Sequence, residues 1–122
     1  MKIQESGEMY LESIYLLKKE KPYVRAIDVA AFTGYSKPSV SRAMALLKNA
    51  DLISVSSEGY ITLSAEGESI AAKMYERHIF LTRFFIKLGV PESIASEDAC
   101  KIEHAISETS FRAWKDSMSA DQ

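Results

Sequence analysis

Cys100, Glu103 and His104 stand at positions i, i+3 and i+4 of a stretch with helical periodicity, so a thiolate, a carboxylate and an imidazole leave one helical face together. That donor set suits a first-row transition ion. Imidazole and carboxylate accept Mn, Fe, Co, Ni or Zn, whereas sulfur tilts the site away from Mg or Ca. Met9 and Glu12 share a stripe on the first helix, and His78 lies on a long helix further on; each is a further candidate donor. The same residues also fit ordinary roles. Cys100 suits a small core position, Met9 a gap, Glu12 and Glu103 a solvated face, and His78 a hydrogen-bonded place in a core.

A second group carries different chemistry. Ser36, Lys37, Pro38, Ser39, Ser41 and Arg42 fall on the side of a helix opposite its apolar stripe, Val40, Ala43, Met44 and Leu47. A basic N-terminal turn with small hydroxyls suits phosphate oxygens, Arg42 suits a guanine edge, and Pro38 or Ser39 a thymine methyl. Arg25, at the entry to the preceding helix, reads as a phosphate clamp. Serine, lysine and arginine are also what any solvated helix presents, so the elements around this helix have to decide.

Those elements are legible. Ser6 reads as the cap of a first helix over about 7–19, where Tyr10, Ile14 and Leu17 recur at helical spacing. A second helix is expected over about 26–33, with Val29 and Phe32 inward and Gly34 as its C-terminal stop. Ser36-Lys37-Pro38 opens a third, running to about Ala50. Two β-rich runs, 52–56 and 60–63, flank Ser57-Glu58-Gly59, a hairpin signature. Ser64 caps a long helix over about 65–88, Ser96 is expected to cap another through about 106, and Ser107-Glu108 opens a last one to about 117. The fold class is therefore mainly α with a small β-hairpin wing: a winged helix-turn-helix over 1–64 joined to a helical domain over 65–122. A helix-turn-helix followed at once by a wing points to DNA.

Composition limits the alternatives. The 122 residues, 47% of them apolar, suffice for a real core, and no run of about 18 apolar residues suggests a membrane span. With one cysteine there is no intrachain disulfide, and a cytoplasmic setting is expected. The net charge of −2 conceals an asymmetry: residues 1–50 hold eight Lys/Arg against five Asp/Glu, a balance of +3, while residues 51–122 hold seven against twelve, a balance of −5. A basic front half suits phosphates and an acidic back half suits cations or a partner. With no HExxH motif and no nucleophile paired with a histidine, the chain reads as a non-enzyme without a small-molecule substrate.

At these residues the chain resembles the diphtheria-toxin-repressor family of iron- and manganese-dependent regulators. Glu8-Met9-Tyr10-Leu11-Glu12-Ser13-Ile14-Tyr15 resembles that family's first helix, Pro38-Ser39-Val40-Ser41 its recognition helix, and Asp98-Ala99-Cys100-Lys101-Ile102-Glu103-His104 its metal-binding helix. The resemblance implies that Met9, Cys100, Glu103 and His104 form the primary site of the iron-responsive branch. Glu12 and His78 match positions used in the manganese-responsive branch, which has carboxylates where this chain has Met9 and Cys100. The iron branch's ancillary site is implied only in part, because Thr82 and Ser96 stand where it has a carboxylate and a second histidine. The resemblance is to the short, two-domain form without an SH3-like domain.

The expected mechanism follows. Fe(II), with Mn(II) as the alternative, draws donors from the first helix and the metal-binding helix, and holds a C2 homodimer so that two recognition helices enter major grooves of operator DNA about 34 Å apart. Ile79, Phe80, Phe84, Phe85 and Leu88, with parts of the last two helices, are expected to form the dimer seam. The alternative keeps the winged helix and drops the metal, giving a DNA-binding regulator that does not sense it.

Overall fold

In the computed structural model, which describes residues 5–120, six helices and one hairpin follow in the order α1 (Glu5–Glu20), α2 (Ala26–Thr33), α3 (Lys37–Asn49), β1 (Ile53–Val55), β2 (Ile61–Leu63), α4 (Ala65–Lys87), α5 (Glu92–Ala105) and α6 (Glu108–Ala120). The chain divides into two compact units, residues 1–73 and 74–122, so that the first nine residues of α4 fall in one and the remainder in the other.

The first unit is built on a shared apolar core. Tyr10, Leu11, Ile14 and Leu17 of α1 are buried with Val29 of α2, Val40, Met44 and Leu47 of α3, and Leu52, Ile53 and Ile61 of the hairpin. The stripes that helical periodicity marks on α1 and α3 are thus the faces that pack. Phe32 departs from expectation: it is about half exposed, because α2 is only two turns long and the side it buries is that of Val29. Gly34 closes α2 at φ 78°, a left-handed conformation that costs a residue without Cβ little, and its N–H reaches Ala30 O at 2.9 Å.

The hairpin pairs antiparallel with Ile53 opposite Leu63 and Val55 opposite Ile61. Ile61 N donates to Val24 O at 2.7 Å, which pins the segment before α2 along the wing. Ser64 N donates to Leu52 O at 2.9 Å, and the Ser64 hydroxyl accepts from Gly67 N at 3.0 Å, so the wing runs directly into a capped α4. Gly67 is required by this approach: a Cβ built there collides with the carbonyl oxygen of Leu52. Alanine at a helical glycine ordinarily stabilises by up to about 1 kcal/mol. Gly67→Ala is expected instead to destabilise by about 1–3 kcal/mol through forced backbone displacement. Urea unfolding of the variant gives the sign directly, and a raised midpoint contradicts the argument.

In the second unit Met74, Leu81, Ala95, Ala99 and Phe111 are buried. Ala95, Ala99 and Glu103 form the buried stripe of α5, two small residues followed by a carboxylate at i, i+4 and i+8. Two capping expectations change. Ser6 lies inside α1 rather than before it. Ser96 lies in the second turn of α5, which begins at Glu92 with Pro91 as its N-cap: proline's fixed φ, here −57°, already suits a helix start, so the helix opens one turn earlier. The Ser107 hydroxyl accepts from Ser110 N at 3.1 Å and caps α6 as expected. Among the described residues, no helix is long and apolar enough to cross a membrane.

Candidate metal centre and nucleic-acid interface

The second unit brings three of the candidate donors together. Glu103, fully buried on α5, presents Oε2 to His78 Nδ1 of α4 at 2.9 Å, and its Oε1 lies 3.2 Å from His104 Nε2. A carboxylate taken out of water is costly unless opposite charge or hydrogen-bond donors meet it; here the His78 imidazole meets Oε2, while the His104 ring lies at ion-pair distance from Oε1 without the geometry of a hydrogen bond. The far nitrogen of His78, Nε2, lies 3.4 Å from the Ser96 hydroxyl, so the helical serine that does not cap α5 orients this ring instead. Thr82, one turn beyond His78, has a buried hydroxyl with no hydrogen-bond partner among the described residues. Cys100 sits on the same helix but is exposed, one position off the Ala95, Ala99, Glu103 stripe.

In the first unit, Met9 is half-buried, with its sulfur 3.7 Å from the Ser13 hydroxyl, and Glu12 is a buried carboxylate one turn on. Both lie on α1 beside the Leu11 and Ile14 core positions.

The DNA-reading candidates separate into those held by the protein and those that face outward. Ser36 is committed to α3: its hydroxyl accepts from Ser39 N at 3.3 Å and donates to Ser39 Oγ at 2.9 Å. Arg42 Nη2 reaches back to Ser39 Oγ at 3.4 Å, which lays the guanidinium along the helix. Lys37, Pro38, Ser41 and Arg42 are exposed, while Ser39 is half-buried. Arg25, the N-cap of α2, donates its backbone N–H to Asp28 Oδ2 at 2.8 Å, and Lys21 Nζ meets Asp28 Oδ1 at 2.8 Å. The hydrogen bond from Lys21, followed by that from the Arg25 backbone, holds the Asp28 carboxyl below the usual range.

Sequence reasoning missed the wing's share in this surface. The Arg25 guanidinium lies 4.9 Å from the ring centroid of Tyr60, and Tyr23 stacks on Tyr60 at 4.7 Å. The signal was one tyrosine two positions before Arg25 and another just before β2, but only the Ile61 to Val24 hydrogen bond brings them level. It missed Arg77 as well, the buried cation next to His78, for which no local pattern exists.

Comparison with known proteins places this geometry. Residues 2–61 match the family described as iron dependent repressor, N-terminal DNA binding domain, and residues 64–119 the one described as iron dependent repressor, metal binding and dimerisation domain. The transcriptional regulator MntR of Escherichia coli O6:H1 is 36% identical over 106 residues, which cover 87% of this chain and 68% of that protein. The chain belongs to the iron-dependent repressor family of transcriptional regulators. Another family member, the HTH-type transcriptional regulator MntR of Shouchella clausii, is 33% identical over 84% of this chain and 71% of its own. Among solved structures, the manganese regulator SloR superposes with a TM-score of 0.83 at 22% identity, over 98% of this chain and 55% of that one. A manganese-dependent transcriptional repressor in complex with manganese gives 0.80 at 25% identity, over 88% and 50%. The chain thus spans about half the length of the solved regulators it matches.

Proposed function

We propose that this metal-dependent regulator is a repressor that binds operator DNA as a homodimer when Fe(II) or Mn(II) is held by Cys100, Glu103 and His104, with His78 beside them. The observation that carries the reading is Glu103, a fully buried carboxylate hydrogen-bonded to the His78 imidazole and 3.2 Å from that of His104, on a helix that also bears the chain's thiol. These donors fit a borderline divalent ion: nitrogen and carboxylate oxygen accept either metal, and sulfur favours iron over harder cations. The relatives whose names carry manganese support Mn(II) equally. When bound, the cation supplies the positive charge that compensates a deprotonated thiol and a buried carboxylate.

The chain's own residues do the rest. His78, oriented by Ser96, fixes the Glu103 carboxylate before any ion arrives, which removes an ordering cost from binding. Lys37, Ser41 and Arg42 face the duplex from α3, and Arg25, steadied over Tyr60, takes a phosphate at the wing's root. The dimer forms through the aromatic surface of α4 and α6. There the Trp114 ring stands edge-on to Phe84 at 5.1 Å and to Phe80 at 6.1 Å, and a groove of about 490 Å³ opens beside Ile79, Phe80, Phe84 and Met118. Leu88, at 66% exposure, and Ile86 are further exposed apolar side chains at the end of α4.

The test is fluorescence anisotropy of metal-stripped protein on a duplex selected from a random-sequence pool, with Fe(II), Co(II) and Mn(II) titrated in. Metal is expected to tighten DNA binding by about 5–150-fold, the usual range for coupling between two sites. Equal affinity with and without every ion overturns the metal reading and leaves the DNA reading standing.

A further inference from the structure

Arginine is almost never fully buried unless it is paired. Arg77 of α4 is 7% exposed. Its Nη1 donates to two backbone carbonyls at the end of α5, Glu103 O at 2.9 Å and Ile106 O at 2.7 Å. Its Nη2 donates to Glu108 Oε1 of α6 at 3.1 Å, and the guanidinium lies 5.3 Å from the ring centroid of Phe111. That hydrogen bond holds the Glu108 carboxyl below the usual carboxylate range.

Glu103 is therefore gripped twice by consecutive residues of α4. Arg77 takes its carbonyl and His78 its carboxylate. The last carbonyls of a helix lack intrahelical partners and are met by water when exposed; here Nη1 of a planar guanidinium meets two of them inside the protein while Nη2 forks to Glu108, so the donor directions are fixed. The fork removes the freedom of the final turn of α5, the turn that carries Glu103 and His104. It also places a positive charge near donors chosen for a cation, and Glu108 compensates that charge.

We infer that Arg77 is a positioning residue of the metal centre: through the carbonyls of Glu103 and Ile106 it sets the affinity and coordination of a divalent ion without ligating it, and Glu108 neutralises it so that it does not repel the ion. This rests on the metal reading above, and goes beyond it by assigning control of the site to a residue that offers no donor atom to a metal.

The experiment is a Co(II) titration, followed by visible absorption, of wild type, Arg77→Lys and Glu108→Gln, with thermal unfolding of each metal-free protein alongside. Lysine keeps the charge and the long stem but loses the fork, so Arg77→Lys is expected to bind Co(II) about tenfold more weakly, the scale of loss when outer supports of metal ligands are removed. Its absorption bands should change, which a purely structural loss of stability would not cause in the folded protein. Glu108→Gln leaves the guanidinium uncompensated and is expected to weaken Co(II) binding as well. Wild-type affinity and spectrum in Arg77→Lys overturn the inference. If that variant does not fold, Glu108→Gln decides, and unchanged or tighter Co(II) binding there overturns it. Failure of the wild type itself to bind Co(II) sinks the metal reading instead, so the two failures are distinguishable.

Discussion

Replacing Cys100 and His104 together by alanine is expected to bring operator affinity in saturating Mn(II) or Fe(II) down to the metal-free level, a loss of about 5–150-fold or about 1–3 kcal/mol. Metal and DNA help each other only through the difference in metal affinity between the DNA-binding state and the other state. Removing a thiol and an imidazole from the α5 face removes that difference, while α3 and the wing, in the other unit, are untouched. Affinity in the absence of metal should therefore stay where it was. Cys100 is exposed and its loss leaves no large cavity, whereas the His104 side chain is 7% exposed, so a modest loss of stability is expected as well. Anisotropy titrations at matched salt, with and without metal, separate the two effects. A double variant that keeps the full metal-dependent gain removes Cys100 and His104 from the ligand set.

Arg42→Ala is expected to cost about 1–3 kcal/mol per half-site and to relax base preference at one position of the operator. The reason lies in how the side chain is held. Its hydrogen bond to Ser39 Oγ lays it along an α3 that is itself fixed by buried Val40, Met44 and Leu47, so little freedom is lost when it meets a base edge. Lys37→Ala should behave differently. A lysine near a phosphate contributes charge without reading sequence, so affinity should fall evenly across sequences and the salt slope should drop by about one. Binding measured on the preferred duplex and on scrambled ones, across a salt series, tells base reading from phosphate contact. An Arg42→Ala protein with unchanged sequence preference would move the reading head elsewhere on the surface.

Much of this was legible in local pattern. Hydrophobic spacing marks the buried faces of α1 and α3, Ser36 and Gly34 mark helix ends, and the β-rich runs around Ser57-Glu58-Gly59 mark the wing. Such signals are local because hydrogen bonds within a helix or hairpin join residues a few positions apart, and a single sequence displays them. The spacing of Cys100, Glu103 and His104 belongs to the same class, since one helix suffices to align them.

What the local signals do not contain is which face turns inward, and against what. Ser96 looks like a cap and instead meets His78, eighteen residues away, because Pro91 starts α5 earlier. Phe32 looks like core and is half exposed, because the two turns of α2 bury only the Val29 side. Glu103 fits a solvated carboxylate until α4 packs across it, Cys100 stands outside the stripe that its neighbour Ala99 occupies, and Arg77 has no pattern at all. Local periodicity determined which elements this protein has and which side chains share a face. Only tertiary packing decided which of those faces leave water, because burial and long-range hydrogen bonds depend on neighbours supplied by distant parts of the chain.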